Sequence, residues 1–252
     1  MRKTDSRPST PNPQQPADQQ VNALDPRQIP IWHEATSQVQ QQQALALDRL
    51  SLSAVRQRFA NPLPWQPEQR SELLPWQQPP RDAAVLLGLQ PLQQSPDQLR
   101  VLLTQRTEHL KSHAGQIAFP GGKIDPDDAD AVAAALREAE EEVGLPVEGV
   151  QVLGKLPSYM TGTGYRVTPV VGILSPDVSL QPNPNEVADV FTVPLPFLMD
   201  PRHHRKHQWQ PAPDHRREWF SMPYQEADTG IERYIWGVTA GILRDFYRFL
   251  AA

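Results

Sequence analysis

The stretch "FPGGKIDPDDADAVAAALREAEEEVGL", residues 119–145, places four glutamates close together shortly after a Gly-Gly turn. It predicts a helix over about residues 129–143, capped at its start by Asp127 or Asp128 and ended by the glycine and proline of "GLP" at 144–146. Like charges three or four residues apart on a helix repel each other, so something must neutralise these glutamates.

Three of the four glutamates share one face of the predicted helix. At about 100° per residue, Glu138, Glu141 and Glu142 fall within one arc, whereas Glu140 points elsewhere. Carboxylates that repel each other become favourable neighbours once divalent cations lie between them, and Mg²⁺ and Mn²⁺ prefer oxygen ligands. A solvated acidic face is the alternative. The preceding glycine turn, where backbone can approach a ligand closely, favours a cation site.

Composition narrows the classes of function. The 252 residues carry a net charge of −5, so the chain lacks the overall positive charge that attracts a nucleic-acid backbone. The absence of cysteine excludes a disulfide scaffold, a Cys-ligated zinc site and thiol catalysis. No apolar run approaches the roughly 20 residues that span a bilayer, and the N-terminus lacks the apolar segment of a signal peptide. We therefore expect a soluble, cytoplasmic protein that binds neither membranes nor nucleic acid.

The chain divides into three parts. Residues 1–38 are rich in Gln and Pro and bury too little surface to offset their ordering entropy, which predicts a disordered tail. Residues 39–80 are expected to pack on the main domain as an amphipathic helix, with apolar residues spaced by sevens over 45–59, and an irregular linker. Residues 81–252 are expected to form the main domain.

Short β-like runs dominate the main domain, and a second helix is predicted over 238–250. The strands are too closely spaced for regular βαβ crossovers, so the pattern predicts a mixed sheet flanked by helices, an α/β class with α+β character. The predicted strands cover residues 83–89, 100–106, 150–156, 167–174, 187–193, 218–222 and 233–237.

Gly122 and "REAEEEVGL" at 137–145 together resemble the box of the Nudix hydrolases, which reads G-x5-E-x7-R-E-U-x-E-E-x-G-U, with U a bulky aliphatic residue. Ala139 replaces the first bulky aliphatic residue. The first half departs further, because Asp128 stands where Glu is expected and one extra residue separates it from Arg137. This departure leaves the role of Asp128 open, whereas the three glutamates keep the register of the family.

A second stretch, "LLTQRTEHLKSHAGQIAFPGG" at 102–122, is similar to the signature upstream of the box in the coenzyme A pyrophosphatase branch of the Nudix hydrolases, approximately LLTxR(S/A)xxxRxxxGxxxFPGG. Arg106, Gly115 and the closing FPGG match, and Thr107 and Lys111 are conservative departures. The resemblance covers about residues 83–250. It implies a Nudix-type α/β/α sandwich with a mixed β-sheet, to which an N-terminal extension is added.

The resemblance also implies divalent-metal-dependent hydrolysis of a nucleoside-diphosphate-linked substrate, here coenzyme A or a derivative cleaved to 3′,5′-ADP and 4′-phosphopantetheine. Mg²⁺ or Mn²⁺ would neutralise the diphosphate and lower the pKa of bound water. By match to the family, the ions are held by Glu138, Glu141 and Glu142. Arg137 orients these three glutamates. The general base would be one of these glutamates or Glu186, which precedes a predicted strand.

Candidates for substrate binding lie in the upstream stretch. Arg106, Lys111 and His113 are expected to meet the additional phosphate of coenzyme A or its diphosphate. Gly121 and Gly122 carry no side chain, so their backbone can approach the substrate closely. These five residues therefore complete the predicted site.

Other interpretations stay open. A Nudix hydrolase acting on ADP-ribose, a dinucleotide or an oxidised nucleotide shares the same box. A non-catalytic Nudix-fold binding module is an alternative of another class, although such modules tend to have lost the carboxylates kept here. The basic stretch 202–217 lacks zinc-ligand spacing and predicts a charged hairpin or loop near the substrate mouth, or a solvated loop. The sequence does not decide between Mg²⁺ and Mn²⁺, or between a monomer and a homodimer.

Overall fold

A computed structural model describes residues 25–69, 79–109, 113–212 and 215–252. Its main sheet has eight strands and combines parallel and antiparallel pairing, which confirms the predicted mixed sheet. These strands are β1 Arg81–Leu92, β2 Ser95–Arg106, β3 Ile117–Ala118, β4 Gly121–Lys123, β5 Val150–Lys155, β6 Tyr159–Met160, β7 Tyr165–Leu174 and β8 Val187–Pro194.

The strand order along the main path is β3-β2-β1-β7-β5. In addition, β8 pairs with β2, β4 with β1 and β6 with β7. The central pair β1 and β7 is parallel, and β1 and β2 form an antiparallel hairpin. The connection from β1 to β7 contains the strands β2 to β6 and the glutamate-rich helix, as expected for a parallel pair that needs a long crossover.

A second sheet of three antiparallel strands shares no strand pairing with the main one. It is formed by β9 Arg205–Ala212, β10 His215–Gln225 and β11 Glu232–Trp236, in the order β11-β10-β9. The basic stretch 202–217 contributes β9 and the start of β10, so it belongs to a hairpin and not to a loop.

The described α-helices are α1 His33–Gln40, α2 Leu52–Ala60, α3 Ala131–Val143, α4 Leu195–Leu198 and α5 Gly237–Ala251. Short 3-10 helices cover Pro26–Gln28, Leu47–Leu50, Val147–Gly149 and Pro201–His203. None of the helices in the described ranges combines the length and the apolar character that a bilayer span requires.

Two hydrophobic cores lie on opposite faces of the main sheet. Adjacent strand residues point to opposite faces, so Leu86 joins the core under α3 and Leu87 joins the core under α5. The α3 core uses small side chains, Ala134, Ala135 and Ala139, which let the helix approach the sheet closely. Helix, sheet and helix thus form the α/β/α sandwich that the family resemblance implied.

The N-terminal extension differs from its prediction between residues 25 and 38. Helix α1 buries Ala35 and Val39, and the Trp32 N–H donates to the Lys206 carbonyl at 2.8 Å. The expectation of a disordered tail is therefore wrong for residues 25–38, because their few apolar side chains find partners on β9 and the 3-10 helix that precedes it. The remainder of the predicted tail, residues 1–24, lies outside the described residues.

The single helix expected after residue 39 is divided in two. A 3-10 helix ends at Leu50, and Ser51 then caps α2 by accepting the Ala54 N–H on its Oγ at 3.2 Å. Ser51 has extended backbone dihedrals, as an N-cap residue requires, so a continuous helix cannot pass through it. Its hydroxyl explains why the apolar spacing by sevens did not produce one helix.

Candidate active site

The glycine turn lies where β1 and β2 separate. The two strands pair near Leu89 and Val101, but the start of β1 pairs with β4 and the end of β2 pairs with β3. The segment between β3 and β4 enters this gap, and the Leu86 N–H donates to the Pro120 carbonyl at 2.8 Å. The turn that precedes α3 is therefore fixed by backbone hydrogen bonds to β1.

Helix α3 begins two residues later than predicted. Asp130 is the N-cap, and its Oδ1 accepts the N–H groups of Val132 and Ala133 at 2.8 and 2.9 Å. The expectation that Asp127 or Asp128 caps the helix is therefore wrong. At the other end, the expected glycine stop is confirmed: Gly144 has φ +64° and donates its N–H to the helix.

Glu142 is the most buried of the three glutamates, with 5% of its surface exposed. Its Oε2 accepts the Gly121 N–H at 3.1 Å, and Arg106 Nη1 lies 3.5 Å from its Oε1. Burial raises the pKa of the Glu142 carboxyl to about 7, although that hydrogen bond and the charge of Arg106 both oppose the shift. The positive charge near this carboxylate is therefore too small to offset its desolvation.

Glu138 lies directly against the glycine turn. A Cβ on Gly122 would stand 2.5 Å from the Glu138 carboxyl carbon, so a side chain at position 122 would displace this carboxylate. Burial raises the pKa of Glu138, whereas Arg137 opposes the shift. Gly122 thus lets the turn lie against Glu138 without moving its carboxylate.

Arg137 connects the helix to the loop before it. Its Nε and Nη2 form a bidentate pair with Asp128 at 3.0 and 2.9 Å, and its Nη1 donates to Glu138 and Glu141, each at 3.1 Å. Nη2 also donates to the Lys123 carbonyl at 3.2 Å. The hydrogen bonds from Arg137 hold the pKa of Asp128 below its ordinary value, and the same contacts raise the pKa of Arg137. Asp128, where the box departs from its usual pattern, is therefore the main partner of Arg137.

The three glutamates have unequal surroundings. The Glu141 side chain is 57% exposed, against 19% for Glu138 and 6% for Glu142. Within the described ranges, no three His, Asp or Glu side chains are arranged as a ready metal cage. In this arrangement Arg137 and Arg106 contact the carboxylate oxygens that a cation would need.

The donor set nevertheless fits a hard divalent cation. All three candidate ligands are carboxylates on one stretch of α3, and burial raises the pKa of both Glu138 and Glu142. Such carboxyls favour a nearby positive charge, and oxygen donors are those that Mg²⁺ and Mn²⁺ prefer. Glu138, Glu141 and Glu142 are thus the residues that could hold the ion.

Glu186 approaches the same group from a separate loop. The Gln181 and Asn183 N–H groups donate to the carbonyls of Val143 and Glu142 at 2.8 and 2.9 Å, so this loop is docked on the last turn of α3. The negative charge of Glu186 adds to the effect of burial in raising the pKa values of Glu138 and Glu142. The fold therefore brings Glu186 within electrostatic range of the glutamates on α3.

The described residues predicted to bind the substrate lie in different positions relative to the glutamates. Arg106, at the end of β2, contacts Glu142, and its buried Nε has no hydrogen-bond partner. His113 is exposed, has φ +58°, and shares a hydrogen bond of 2.9 Å with Gln116. The structure therefore brings Arg106 to the glutamates and places His113 in the connection before β3. Lys111 lies outside the described residues.

Sequence reasoning missed two features of the site. It did not assign Asp128 to Arg137, although the acidic run "DPDDAD" offered partners for a cation within the extra length of the box. It also missed the docking of the Glu186 loop, because backbone N–H groups make these contacts and side-chain patterns do not encode them.

Residues 80–232 match the family model of the NUDIX domain, and the chain belongs to the Nudix hydrolase family. Nudix hydrolases are pyrophosphohydrolases that act on small nucleotide substrates and generally use divalent metal ions. The chain is 46% identical over 166 residues to the uncharacterized Nudix hydrolase NudL of Escherichia coli (strain K12), an alignment that covers 66% of this chain and 80% of NudL.

Two solved structures are also similar. The Nudix hydrolase RenU of M. smegmatis is 26% identical, with 47% of this chain and 73% of RenU covered and a TM-score of 0.40. The C. elegans Ap4A hydrolase in a binary complex is 21% identical, with 45% of this chain and 80% of that chain covered and a TM-score of 0.39. Family membership rests on the domain match and on the identity to NudL.

Proposed function

We propose that this Nudix hydrolase cleaves coenzyme A or a derivative at its diphosphate and releases 3′,5′-ADP and 4′-phosphopantetheine. The observation that carries the proposal is the contact between Arg106 and Glu142. Arg106 belongs to the stretch that resembles the coenzyme A pyrophosphatase signature, and Glu142 belongs to the Nudix box. The stretch that would select the substrate is thus adjacent to the residues that would cleave it.

Glu138, Glu141 and Glu142 are the proposed ligands of Mg²⁺ or Mn²⁺. Such an ion, when bound, neutralises the diphosphate and lowers the pKa of a bound water. Arg137 keeps Glu138 and Glu141 in position by donating to both carboxylates, and Asp128 fixes Arg137 in turn. A planar guanidinium with several donors suits this orienting role.

The remaining candidates act on the substrate and on the attacking water. Gly121 and Gly122 present backbone without side chains to the diphosphate, and Arg106 donates to its oxygens. Glu186 accepts a proton from the attacking water. The water oxygen bonds to phosphorus while the bond from phosphorus to the bridging oxygen breaks. The docking of this loop on the last turn of α3 through the Gln181 and Asn183 N–H groups supports this role of Glu186.

A substrate panel tests the proposal. The purified chain is incubated with coenzyme A, ADP-ribose and NADH, each with Mg²⁺ and with Mn²⁺, and the products are identified by mass spectrometry. We expect 3′,5′-ADP and 4′-phosphopantetheine from coenzyme A, and faster turnover of coenzyme A than of the other two compounds. Turnover of ADP-ribose with coenzyme A untouched would reject the proposed substrate and keep the family activity.

A further inference from the structure

A cleft of about 250 Å³ lies at the end of β2, on the face away from α3. Arg106 contacts Glu142 of α3, whereas the neighbouring Gln105 lines the cleft and accepts a hydrogen bond from Arg233 of β11 at 2.9 Å. The cleft and the carboxylates therefore lie on opposite faces of one strand end.

The N-terminal extension supplies one wall of this cleft. Asp25, Pro26 and Arg27 line it, and Arg27 lies 3.7 Å from Glu232 and over the ring of Tyr234 at 5.3 Å. These residues precede the part of the chain that matches the NUDIX domain. The cleft thus depends on the extension that this chain adds to the family domain.

The charge in the cleft is unsuited to a phosphate. Among the described residues, those that line it with a charge are the carboxylates of Asp25, Glu108 and Glu232 and the guanidinium of Arg27. A phosphate would add negative charge where negative charge already prevails, and like charges at short range repel. The described lining therefore disfavours an anion and offers acceptors to a group that donates hydrogen bonds.

The cleft also offers apolar contact. Tyr234 and Trp236 line it from β11, and Ile117 lines it from β3. Aromatic side chains combine a large apolar surface with a polar edge, which suits a ligand that carries both methyl and amide groups. Carboxylate and amide oxygens around these rings provide acceptors for amide N–H groups.

A single long substrate could reach both faces around the edge of the sheet. The Arg106 N–H donates to the carbonyl of Gln116, which lines the cleft, at 3.0 Å. From Ile117 in the cleft to Gly121 beside Glu142 the chain advances four residues, a span of at most about 14 Å. The cleft is thus within reach of a flexible arm whose phosphorus lies at the glycine turn.

We propose that this cleft binds the pantetheine arm of the substrate. This neutral arm lies against the N-terminal extension, and the nucleotide end of the substrate lies outside the cleft. The inference rests on the proposed function for the identity of the arm. Pantetheine is neutral and carries amide N–H groups, methyl groups and a thiol, which match the acceptors and the rings of the cleft. The extension thereby contributes to substrate selection.

The absence of cysteine makes a direct test available. Glu232→Cys and Arg27→Cys each place a sole thiol on one wall of the cleft, and Glu148→Cys places one on the exposed 3-10 helix after α3. Each variant is mixed with pantethine, the disulfide of two pantetheine arms, or with bis(2-hydroxyethyl) disulfide. The protein thiolate attacks one sulfur, forms a mixed disulfide and releases one thiolate, and intact-protein mass spectrometry follows the rate.

We expect the rate ratio of pantethine to the small disulfide to be about ten-fold higher for the two cleft variants than for Glu148→Cys, because binding raises the effective concentration of the disulfide. Saturating 3′,5′-ADP should leave this ratio unchanged. Equal ratios at all three positions would overturn the inference, as would competition by 3′,5′-ADP. If the cleft variants prefer pantethine but the protein does not hydrolyse coenzyme A in the substrate panel, the proposed function is rejected and the pantetheine site is supported.

Discussion

Two clusters of buried charge differ in how well their charges are balanced. Arg244 of α5 is fully buried, and its guanidinium contacts Glu68 at 2.9 Å, Gln42 at 2.5 Å and His204 at 3.4 Å. Burial lowers the pKa of His204 to about 3, so that imidazole stays neutral beside the cation. Every polar group of this guanidinium has a partner, and its charge meets the Glu68 carboxylate, which the half-exposed Arg248 also contacts. The cluster joins the N-terminal extension to α5.

The cluster on α3 has an excess of negative charge. Among the described residues, Asp128 and the four glutamates at 138, 141, 142 and 186 are accompanied by two arginines, Arg106 and Arg137. An imbalance of this kind destabilises the free protein and becomes favourable once a cation binds. The comparison teaches that a balanced buried ion pair fastens the fold, whereas an unbalanced carboxylate group is suited to bind a ligand.

The largest expected effect concerns the unbalanced cluster. Glu141→Gln should lower metal-dependent turnover by on the order of 10³-fold, because loss of the ion forfeits several kcal/mol of transition-state stabilisation. Glu140→Gln is the matched control: its side chain is also exposed on α3 but does not share the face of Glu138 and Glu142, so turnover should stay near that of the parent chain. Steady-state kinetics with the best substrate of the panel measure both. Near-normal turnover of Glu141→Gln would remove Glu141 from the proposed ligands.

The balanced cluster should respond in stability and not in chemistry. Arg244→Met should lower the free energy of unfolding by about 3 kcal/mol, because Glu68, Gln42 and His204 lose their shared donor inside the fold. Arg248→Met removes a half-exposed arginine one turn later, which also contacts Glu68, and should cost less than about 1 kcal/mol. Urea unfolding gives both values. A large loss of turnover in folded Arg244→Met would contradict the division between the two clusters.

A smaller effect should appear in the pH dependence of stability without divalent ions. The folded-state pKa of Glu142, about 7, lies above its ordinary value of 4.5, so the folded protein holds a proton that the unfolded chain has lost between these limits. This contribution to stability is complete below pH 4.5 and disappears as the pH rises through 7. Wild-type stability minus that of Glu142→Gln should therefore fall by about 2–3 kcal/mol over this range.

Urea unfolding of both proteins at several pH values measures this difference. Saturating Mg²⁺ should reduce the fall, because an ion that binds the ionised carboxylate stabilises the folded state. Parallel pH profiles for wild type and Glu142→Gln without divalent ions would contradict the burial of an uncompensated carboxyl.

Much of the fold followed from local patterns in the sequence. Each of the seven predicted strands overlaps an observed strand, and the helix over 238–250 corresponds to α5 within one residue at each end. Alternating apolar residues and a capped, periodic helix are local signals, so they can be recognised without tertiary information. The start of α3 was placed wrongly, since several aspartates in succession could act as the cap. In the structure Asp130 accepts the first N–H groups of the helix, whereas Asp128 pairs with Arg137.

The N-terminal extension shows what local patterns do not contain. Its described part is held by contacts with β9 and α5, such as the Arg49 guanidinium on the Leu250 and Ala251 carbonyls at 2.7 and 3.1 Å. These partners lie about 200 residues away in sequence. Similarly, the grouping of the glutamates followed from helical spacing, whereas the role of Arg106 beside them depends on the divergence of β1 and β2.

Two prolines restrict the backbone of the loop that carries Glu186 in the free protein. In "QPNPNE" the prolines occupy positions 182 and 184, which leaves the N–H groups of Gln181 and Asn183 free to bind the end of α3. Proline restricts the backbone of the unfolded chain as well, so it lowers the entropy lost when the loop folds. The side chain at 181 should therefore be exchangeable in a mutational library, whereas Asn183 also accepts the Asn185 N–H on its Oδ1 at 3.1 Å and should be replaced less freely. Proline at either position should not be tolerated.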